Sequence, residues 1–335
     1  MDTGNPSGCE ARPRIVAGFG RSGTTWVQDV VAEANRLRPV FEPLHPMHVP
    51  GAAPFSQRLV LEDDPAPELH AFFSRYFHEE FHSLWADYRL ERVRLLPRPR
   101  ELLLPGRLSR TGSYWKTAGR NFLRYRPGRR HAGRLVKCVR ANMMLGWLKK
   151  NFRARIVFLV RHPGAVVASQ LRSLQAWRPE RTVERYRQDA PLVDTLAAPV
   201  RERLFAELSD PEALTLSWCI ENGQALQQAA RHGIPIVWYE HLVRAGLPEW
   251  ERILAALELA ELPAESLIAR PSQQAMGDKA ADEALVRQYG AWTREIDRQT
   301  AARMQDLLEV CGITYYRMDS LLPKGDRPEA RRPVS

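Results

Sequence analysis

One stretch near the start of the chain limits the folds available to it: Ile15-Val16-Ala17-Gly18-Phe19-Gly20-Arg21-Ser22-Gly23-Thr24-Thr25-Trp26. An apolar run typical of a buried strand leads into a glycine-rich turn, and a helical pattern follows directly. This order aims backbone N–H groups and a helix N-terminus at one point, which suits a bound phosphate. The stretch therefore predicts a phosphate-binding loop between a strand and a helix of an α/β sheet.

The turn departs from the Walker A loop of ATP-binding proteins, G-x-x-x-x-G-K-[ST]. The spacing from Gly18 to Gly23 agrees with that loop, but Thr24 stands where the lysine is required. The basic residue, Arg21, lies inside the loop, where its planar guanidinium suits phosphate or sulfate oxygens. The loop favours an anion other than the γ-phosphate of ATP, while a small-metabolite kinase and a plain strand–helix turn remain alternatives.

Four short β-branched runs predict buried parallel strands, which are continuously apolar rather than alternating. They are Arg14–Ala17, Arg134–Val139, Ala154–Val160 and Ile234–Tyr239. Each run precedes a segment of helical composition, as the crossovers of a parallel sheet require. The predicted helices are Thr25–Arg36, Met143–Phe152, one that opens at Pro163, Leu214–Arg231 and Ile296–Val310. The predicted fold class is α/β.

We predict one domain, residues 14–321, between flexible tails at 1–13 and 322–335. Residues 45–133 are rich in Pro, Arg and His and include a helical island near Glu68–Trp85. We predict that they form an insertion or lid over the carboxyl edge of the sheet, where α/β sheets bind ligands. No apolar run approaches a membrane span and no leader peptide is evident, so we expect a cytoplasmic protein without a membrane partner.

The formal net charge of +10 is concentrated in one segment. Residues 86–135 carry a net charge of +11, and the rest of the chain sums to −1. This segment indicates an anionic partner, although a solvated arginine-rich loop is the plainer explanation. Aromatic residues interleave with its arginines, so a module that binds nucleic acid or another polyanion is a further, less favoured alternative. The four cysteines lie far apart and predict no metal site.

Two further stretches carry candidate functional side chains. In Val160-Arg161-His162-Pro163, an arginine leaves the end of a buried strand and a proline opens a helix, with Ser169 nearly two turns later. In Phe41-Glu42-Pro43-Leu44-His45, a carboxylate between an aromatic residue and a proline follows the loop by about twenty residues. Taken alone, a salt-bridged structural arginine is an alternative interpretation of Arg161, and a lone glutamate such as Glu42 is usually a surface residue.

Together, these stretches closely resemble the sulfotransferases that use 3′-phosphoadenosine 5′-phosphosulfate. Gly20-Arg21-Ser22-Gly23-Thr24-Thr25-Trp26 is similar to the 5′-phosphosulfate loop of that family, and Arg161 to Ser169 is similar to its 3′-phosphate motif. Phe41-Glu42-Pro43-Leu44-His45 resembles a stretch of the carbohydrate 6-O-sulfotransferases. The resemblance covers about residues 14–320 and implies a P-loop NTPase-like three-layer sandwich with a central parallel sheet and a lid.

The resemblance also implies roles for particular residues. It implies that Glu42 is the general base, with His45 as the alternative, and that Arg21 neutralises the leaving phosphate. It implies a set of cofactor contacts: Gly20, Arg21, Ser22, Gly23, Thr24, Thr25, Trp26, Arg161 and Ser169. The strand Leu135–Arg140 lacks the base histidine of the family's cytosolic branch, and Lys137 and Arg140 are expected to contact the acceptor.

The implied reaction moves a sulfuryl group to a hydroxyl or amine of a small molecule or carbohydrate, without a metal, and releases adenosine 3′,5′-bisphosphate. The basic segment suggests that this acceptor is an anionic glycan or another anionic natural product.

Overall fold

The sheet at the centre of the protein is parallel. The computed structural model describes residues 12–77, 83–89, 119, 123, 131–269 and 290–324. In these residues, five strands pair in the order β2-β3-β1-β4-β5. They are β1 (Arg14–Gly18), β2 (Arg38–Phe41), β3 (Arg134–Cys138), β4 (Arg155–Val160) and β5 (Ile236–Trp238). Their parallel arrangement confirms the predicted α/β class.

Helices connect the strands, as parallel pairing requires. In chain order, those of the described residues are α1 (Thr24–Ala34), α2 (Pro67–Phe77), α3 (Leu84–Tyr88), α4 (Leu145–Phe152), α5 (Pro163–Leu171), α6 (Leu174–Trp177), α7 (Pro179–Gln188), α8 (Ala190–Thr195), α9 (Ala198–Phe205), α10 (Asp210–His232), α11 (Tyr239–Ala245), α12 (Leu247–Leu257), α13 (Glu265–Ile268) and α14 (Arg298–Val310). Short 3₁₀ turns occur at Ala53–Phe55, Asn142–Met144 and Ala291–Arg294.

The core lies on both faces of the sheet. Successive residues of a strand point to opposite faces, and in β4 Phe158 packs into one buried cluster while Leu159 packs into another. The first cluster includes Trp218 of α10, and the second includes Val31 of α1 and Trp250 of α12. Helices therefore cover both faces, which confirms the predicted three layers.

The predicted strands are confirmed, and the sheet has a fifth strand that the sequence pattern did not predict. This strand, β2, contains Pro39, which cannot donate a backbone hydrogen bond to a neighbouring strand. The proline is tolerated because, among the described strands, β2 is at the edge of the sheet and pairs with β3 alone. Arg38, also in β2, is buried in an ion pair of 2.9 Å with Asp87.

The predicted helices are also confirmed, with shifted ends. Helix α10 begins at Asp210 because Ser209 and Glu212 form a capping box there, four residues before the predicted start. Gly233 ends it with a φ of +59°, as expected of a C-cap glycine. The island near Glu68–Trp85 corresponds to α2 and α3.

Much of the predicted lid lies outside the described residues, as do most of the basic segment and the two terminal tails. The lid, the single domain and the tails therefore stay predictions. None of the helices in the described part of the chain combines the length and apolar character that a membrane crossing needs.

Candidate active site

The glycine-rich loop after β1 is closely packed against its neighbours. A Cβ at Gly20 would lie 2.2 Å from Cη2 of Trp177, and a Cβ at Gly23 would lie 2.6 Å from the Tyr239 ring. Gly23 also has a φ of +90°, which side chains other than glycine rarely adopt. The loop thus needs glycine at both positions, and its backbone can approach a ligand closely.

Helix α1 starts directly after the loop. Its first intrahelical hydrogen bond runs from Val27 N–H to Gly23 O, over 3.1 Å. A helix start carries a partial positive charge and N–H groups without intrahelical acceptors, so it attracts anions. Beside it, Ser22 is fully buried, and its Oγ has no hydrogen-bond partner among the described residues. A buried hydroxyl of this kind suits a ligand oxygen.

Arg21 connects the loop to α5. Its Nε donates to Ser169 Oγ over 2.8 Å, and its own carbonyl accepts from Arg161 Nη1 over 3.1 Å. Arg21 also has a φ of +75°, a conformation that non-glycine residues hold chiefly where surrounding structure imposes it. Three residues that the sequence predicted for the cofactor, Arg21, Arg161 and Ser169, therefore meet at one point.

The cations here repel one another. Burial lowers the pKa of Arg21, and the nearby charges of Arg161 and Arg172 lower it further. Arg161 stacks on the Tyr239 ring at 4.3 Å, and its buried Nε has no hydrogen-bond partner in the part of the chain that the structure describes. We call Arg21, Arg161 and Arg172 the arginine cluster. An anion bound among these three charges would relieve their repulsion.

His162 and Glu240 hold the end of β4, where Arg161 leaves the strand. The His162 ring accepts from Gly164 N–H, stacks on Trp292, and is fully buried, which lowers its pKa to about 4. Buried Glu240 accepts from His162 N–H over 2.9 Å and from the Tyr316 hydroxyl over 2.6 Å. These contacts fix the position of Arg161. No local sequence pattern indicates these contacts, although Arg161 and His162 are adjacent in a motif noted above.

Glu42 lies at the end of β2 in a cluster with two cations. Its carboxylate pairs with Lys137 Nζ at 2.6 Å and with Arg140 Nη1 at 2.9 Å, and it also accepts from Val139 N–H at 3.1 Å. Glu42 is 2% exposed and has a φ of +47°. We call Glu42, Lys137 and Arg140 the Glu42 cluster. Burial lowers the pKa of Lys137, and the Glu42 charge opposes this effect.

His45 follows Glu42 by one tight turn, in which its N–H donates to Glu42 O over 3.1 Å. Its ring lies 4.3 Å from the His48 ring and 4.9 Å from the Trp85 ring. Burial and the charge of Arg140 lower the pKa of His45 to about 2. The imidazole is therefore neutral at physiological pH.

Thr24, Thr25 and Trp26 are all buried at the start of α1. The Trp26 indole N–H donates to Ile268 O over 3.1 Å, and its ring packs edge-on against Trp250 at 5.3 Å. Trp26 is thus a core residue on the sheet side of α1, and it offers little surface for stacking against a base.

A cavity of about 40 Å³ opens between the loop, the end of β3 and α10. Its polar wall includes Gln57, Arg140, Gln170 and Glu221. Among these, only Arg140 was predicted. Gln170 directly follows Ser169 in a predicted motif, so it could have been predicted. Glu221 lies in the middle of a helix, and no local sequence pattern indicates it.

The described residues contain no group of three or more His, Cys, Asp or Glu side chains placed to hold a metal ion.

Two solved structures are similar to this chain over most of its length. A "Sulfotransferase Domain from the Curacin Biosynthetic Pathway" is 15% identical with a TM-score of 0.41, and the match covers 90% of this chain and 98% of that one. Sulfotransferase STF9 from Mycobacterium avium is 15% identical with a TM-score of 0.33, over 90% and 68% of the two chains. At TM-scores this low, these likenesses carry no argument about the chemistry.

No curated protein matches the chain. A family model described as "Sulfotransferase family" matches residues 13–263, which is well over half of the chain. The matched part contains all five strands, the loop, the arginine cluster and the Glu42 cluster. The chain therefore belongs to the sulfotransferase family.

Proposed function

We propose that this sulfotransferase takes its sulfuryl group from 3′-phosphoadenosine 5′-phosphosulfate and passes it to a hydroxyl or amine of an acceptor. Adenosine 3′,5′-bisphosphate is then released. The observation that carries the proposal is the 2.8 Å hydrogen bond from Arg21 Nε to Ser169 Oγ. This bond joins two proposed anion-binding motifs from distant parts of the chain. The donor has phosphates on both the 5′ and the 3′ oxygens of one ribose, so it requires two such motifs close together.

The residues present fit such a ligand. The buried Ser22 Oγ and Arg161 Nε each lack a hydrogen-bond partner within the described ranges. We assign the 5′-phosphosulfate to the loop and the first turn of α1, through Gly20, Arg21, Ser22, Gly23, Thr24 and Thr25. We assign the 3′-phosphate to Arg161 and Ser169. Trp26 is left out of the assignment, because its ring is buried against Trp250.

When bound, the donor supplies a sulfuryl group on a phosphate leaving group. Arg21 lies where it can neutralise charge that builds on that phosphate, which is the usual electrostatic contribution of a fixed cation. Glu42 takes the proton from the acceptor hydroxyl as general base. Lys137 and Arg140 hold the Glu42 carboxylate in place through their ion pairs and remain candidates for acceptor contacts.

The electrostatics favour Glu42 over His45 as the base. A general base works best when its pKa lies near the working pH. The pKa of His45, lowered to about 2, makes its ring a weak proton acceptor. The Glu42 carboxylate pairs with two cations, and one of them, Arg140, lines the cavity. An acceptor that displaces the Arg140 contact would reach Glu42 directly.

We further propose that the acceptor is anionic, on the evidence of the basic segment at residues 86–135. Its charge is a sequence property and most of its residues lie outside the described ones. Replacing Arg124, Arg126, Arg129 and Arg130 together should raise the acceptor KM and leave cofactor affinity unchanged. An unchanged KM would contradict this part of the proposal.

Calorimetric titration with adenosine 3′,5′-bisphosphate and with ATP tests the function itself. We expect the bisphosphate to bind tightly in EDTA, and ATP to bind weakly with or without Mg²⁺. A transfer assay with ³⁵S-labelled donor and a panel of hydroxylated acceptors should then yield a labelled product. Mg²⁺-dependent ATP turnover would indicate a kinase instead, and steeply salt-dependent RNA binding without turnover would indicate a polyanion-binding module.

A further inference from the structure

Glu221, in the middle of α10, is a buried carboxylate that the proposed reaction does not use. It is 1% exposed and lines the cavity beside Gly20 and Arg140. Its carboxylate accepts from Gln57 Nε2 at 2.9 Å, from Asn142 Nδ2 at 2.6 Å and from the Tyr186 hydroxyl. All three donors are neutral groups.

No lysine or arginine in the described part of the chain forms an ion pair with Glu221. The charge of Arg140 acts on it, but the Arg140 guanidinium is paired with Glu42 at 2.9 Å. A buried carboxylate without a cation is costly, since its charge has lost water and gained only neutral donors. Burial accordingly raises the pKa of Glu221. A cation entering the cavity would remove this cost.

A second hydrogen-bond acceptor lies in the same cavity wall. Gln170 is fully buried, and its Nε2 donates to Gly20 O over 3.1 Å. Its Oε1 has no hydrogen-bond partner among the described residues. The cavity thus presents a carboxylate and an amide oxygen without a partner among the described residues, and these groups suit a ligand that donates hydrogen bonds and carries positive charge. A protonated amine has both properties.

We propose that the cavity binds a protonated amine of the acceptor, with Glu221 as its counter-ion and Gln170 Oε1 as a second hydrogen-bond acceptor. The acceptor is then an amino alcohol, in the broad sense that includes amino sugars, and it carries this ammonium group in addition to the anionic groups proposed above. Its ammonium group is recognised in the cavity, and a neighbouring hydroxyl is the group sulfated, because a protonated amine has no lone pair for attack. This inference rests on the proposed function for the identity of the reacting group.

The size and position of the cavity fit this assignment. A volume of about 40 Å³ exceeds what one water needs and is far below that of a drug-sized ligand site, so it admits an aminoalkyl head. Gly20 precedes Arg21 in the loop, and Arg140 touches Glu42. An amine held in the cavity would therefore keep the rest of the acceptor beside the proposed base and the proposed leaving-group cation.

Glu221 also has a structural role, which a test must separate from binding. Asn142 donates to Glu221 and, through its Oδ1, accepts from Gly18 N–H at 3.2 Å, so the carboxylate supports β1 and the loop. A purely structural residue would affect binding of every acceptor alike. A counter-ion would affect amines and leave neutral analogues unchanged. The useful quantity is thus the ratio of the two affinities.

The test compares 3-amino-1-propanol with 1,3-propanediol, by ligand-observed NMR titration of the protein with and without adenosine 3′,5′-bisphosphate. We expect the amine to bind about tenfold more tightly than the diol, which is the effect of one charged hydrogen bond. Glu221→Gln should reduce this ratio to about one. The control Glu251→Gln, a matched change at an exposed position of α12, should leave the ratio unchanged.

If Glu221→Gln fails to fold, two other measurements test whether Glu221 is the counter-ion of the amine. Gln170→Leu should weaken amine binding more than diol binding. In the unsubstituted protein, the ratio should fall as the pH is lowered and Glu221 becomes protonated, because the counter-ion is then lost. Equal binding of amine and diol, or a ratio unaffected by these changes, would overturn the inference. Failure of the bisphosphate to bind, with the amine preference intact, would instead reject the proposed function.

Discussion

The arginine cluster, which is partly exposed, and the buried Glu42 and Lys137 of the Glu42 cluster differ in how their charges are paired. Around Glu42, one carboxylate has two cationic partners within 2.9 Å and a backbone N–H at 3.1 Å. At Arg161, no carboxylate of the described residues forms an ion pair, and the neighbouring charge of Arg161 lowers the pKa of Arg21. Both cations of the Glu42 cluster pair with its carboxylate, whereas in the arginine cluster Arg172 pairs with Glu295 at an exposed position and the buried Arg161 Nε has no hydrogen-bond partner among the described residues.

This difference supports the assignment of a ligand to one cluster and of a positioning role to the other. A formed ion pair gains little from an added anion, whereas the buried Arg161 Nε, which has no hydrogen-bond partner among the described residues, gains a charge-assisted hydrogen bond when an anion arrives. We therefore propose that the donor's phosphates bind at the arginine cluster and that Glu42 of the other cluster is the general base. Each of the following experiments changes one side of this contrast.

The largest expected effect is on turnover, through Glu42. Glu42→Gln keeps the size of the side chain but removes its ability to take a proton. We expect turnover to fall by about 10²–10⁴, the usual contribution of a general base. Affinity for adenosine 3′,5′-bisphosphate, measured by calorimetry, should be retained, because the arginine cluster is untouched. Near-normal turnover would show that another group is the base.

Removing a cation from the Glu42 cluster should mainly reduce stability. Lys137→Met leaves a buried carboxylate with Arg140 as its remaining cationic partner, and breaking a buried pair typically costs about 3–5 kcal/mol. Urea unfolding monitored by circular dichroism measures this change. Lys150→Met is the matched control, because the Lys150–Asp63 pair is on the surface and should contribute little. Equal effects of the two substitutions would refute the positioning role.

The residues of the arginine cluster were easier to predict from the sequence than the partners of Glu42. The loop, Arg161 and Ser169 follow from local patterns, since glycine spacing and a strand–proline–helix junction each determine geometry within a few residues. The partners of Glu42 depend on the pairing of β2 with β3. Strand β2 was not predicted, because its Pro39 is unusual in a strand. Gln57 and Glu221 face the cavity only because two segments 164 residues apart meet there. Such contacts have no local sequence pattern.

Removing a cation from the arginine cluster should have the reverse effect, with a loss of binding and no loss of stability. Arg161→Gln removes one charge from a group of mutually repelling cations. We expect affinity for adenosine 3′,5′-bisphosphate to fall by about ten- to a hundredfold, the range for one charged hydrogen bond. Calorimetry at constant ionic strength measures the affinity, and urea unfolding checks stability. A marked loss of stability with unchanged affinity would reverse the assignment of the two clusters.

Each cluster also has a neutral histidine beside it, the fully buried His162 and the partly buried His45, and these two residues give the smallest predicted effect. His162 follows Arg161, and His45 lies near Arg140, with pKa values lowered to about 4 and about 2. An unfolded histidine has a pKa of about 6.5, so the unfolded chain binds more protons below that pH. The contribution of each neutral ring to the free energy of unfolding is therefore complete above about pH 6.5. It is lost as the pH falls towards the pKa that the ring has in the folded protein.

Between pH 6.5 and pH 5, each histidine should account for about 2 kcal/mol of lost unfolding free energy. His162→Asn keeps a side-chain acceptor at the start of α5 but cannot be protonated, so its unfolding free energy should vary less with pH than that of the unsubstituted protein. His45→Gln should flatten the same curve at the other cluster. Urea unfolding at pH 7, 6 and 5 measures both slopes. Curves that stay parallel would show that the pKa values of these rings are the same in the folded and unfolded chain, and would contradict the lowered values.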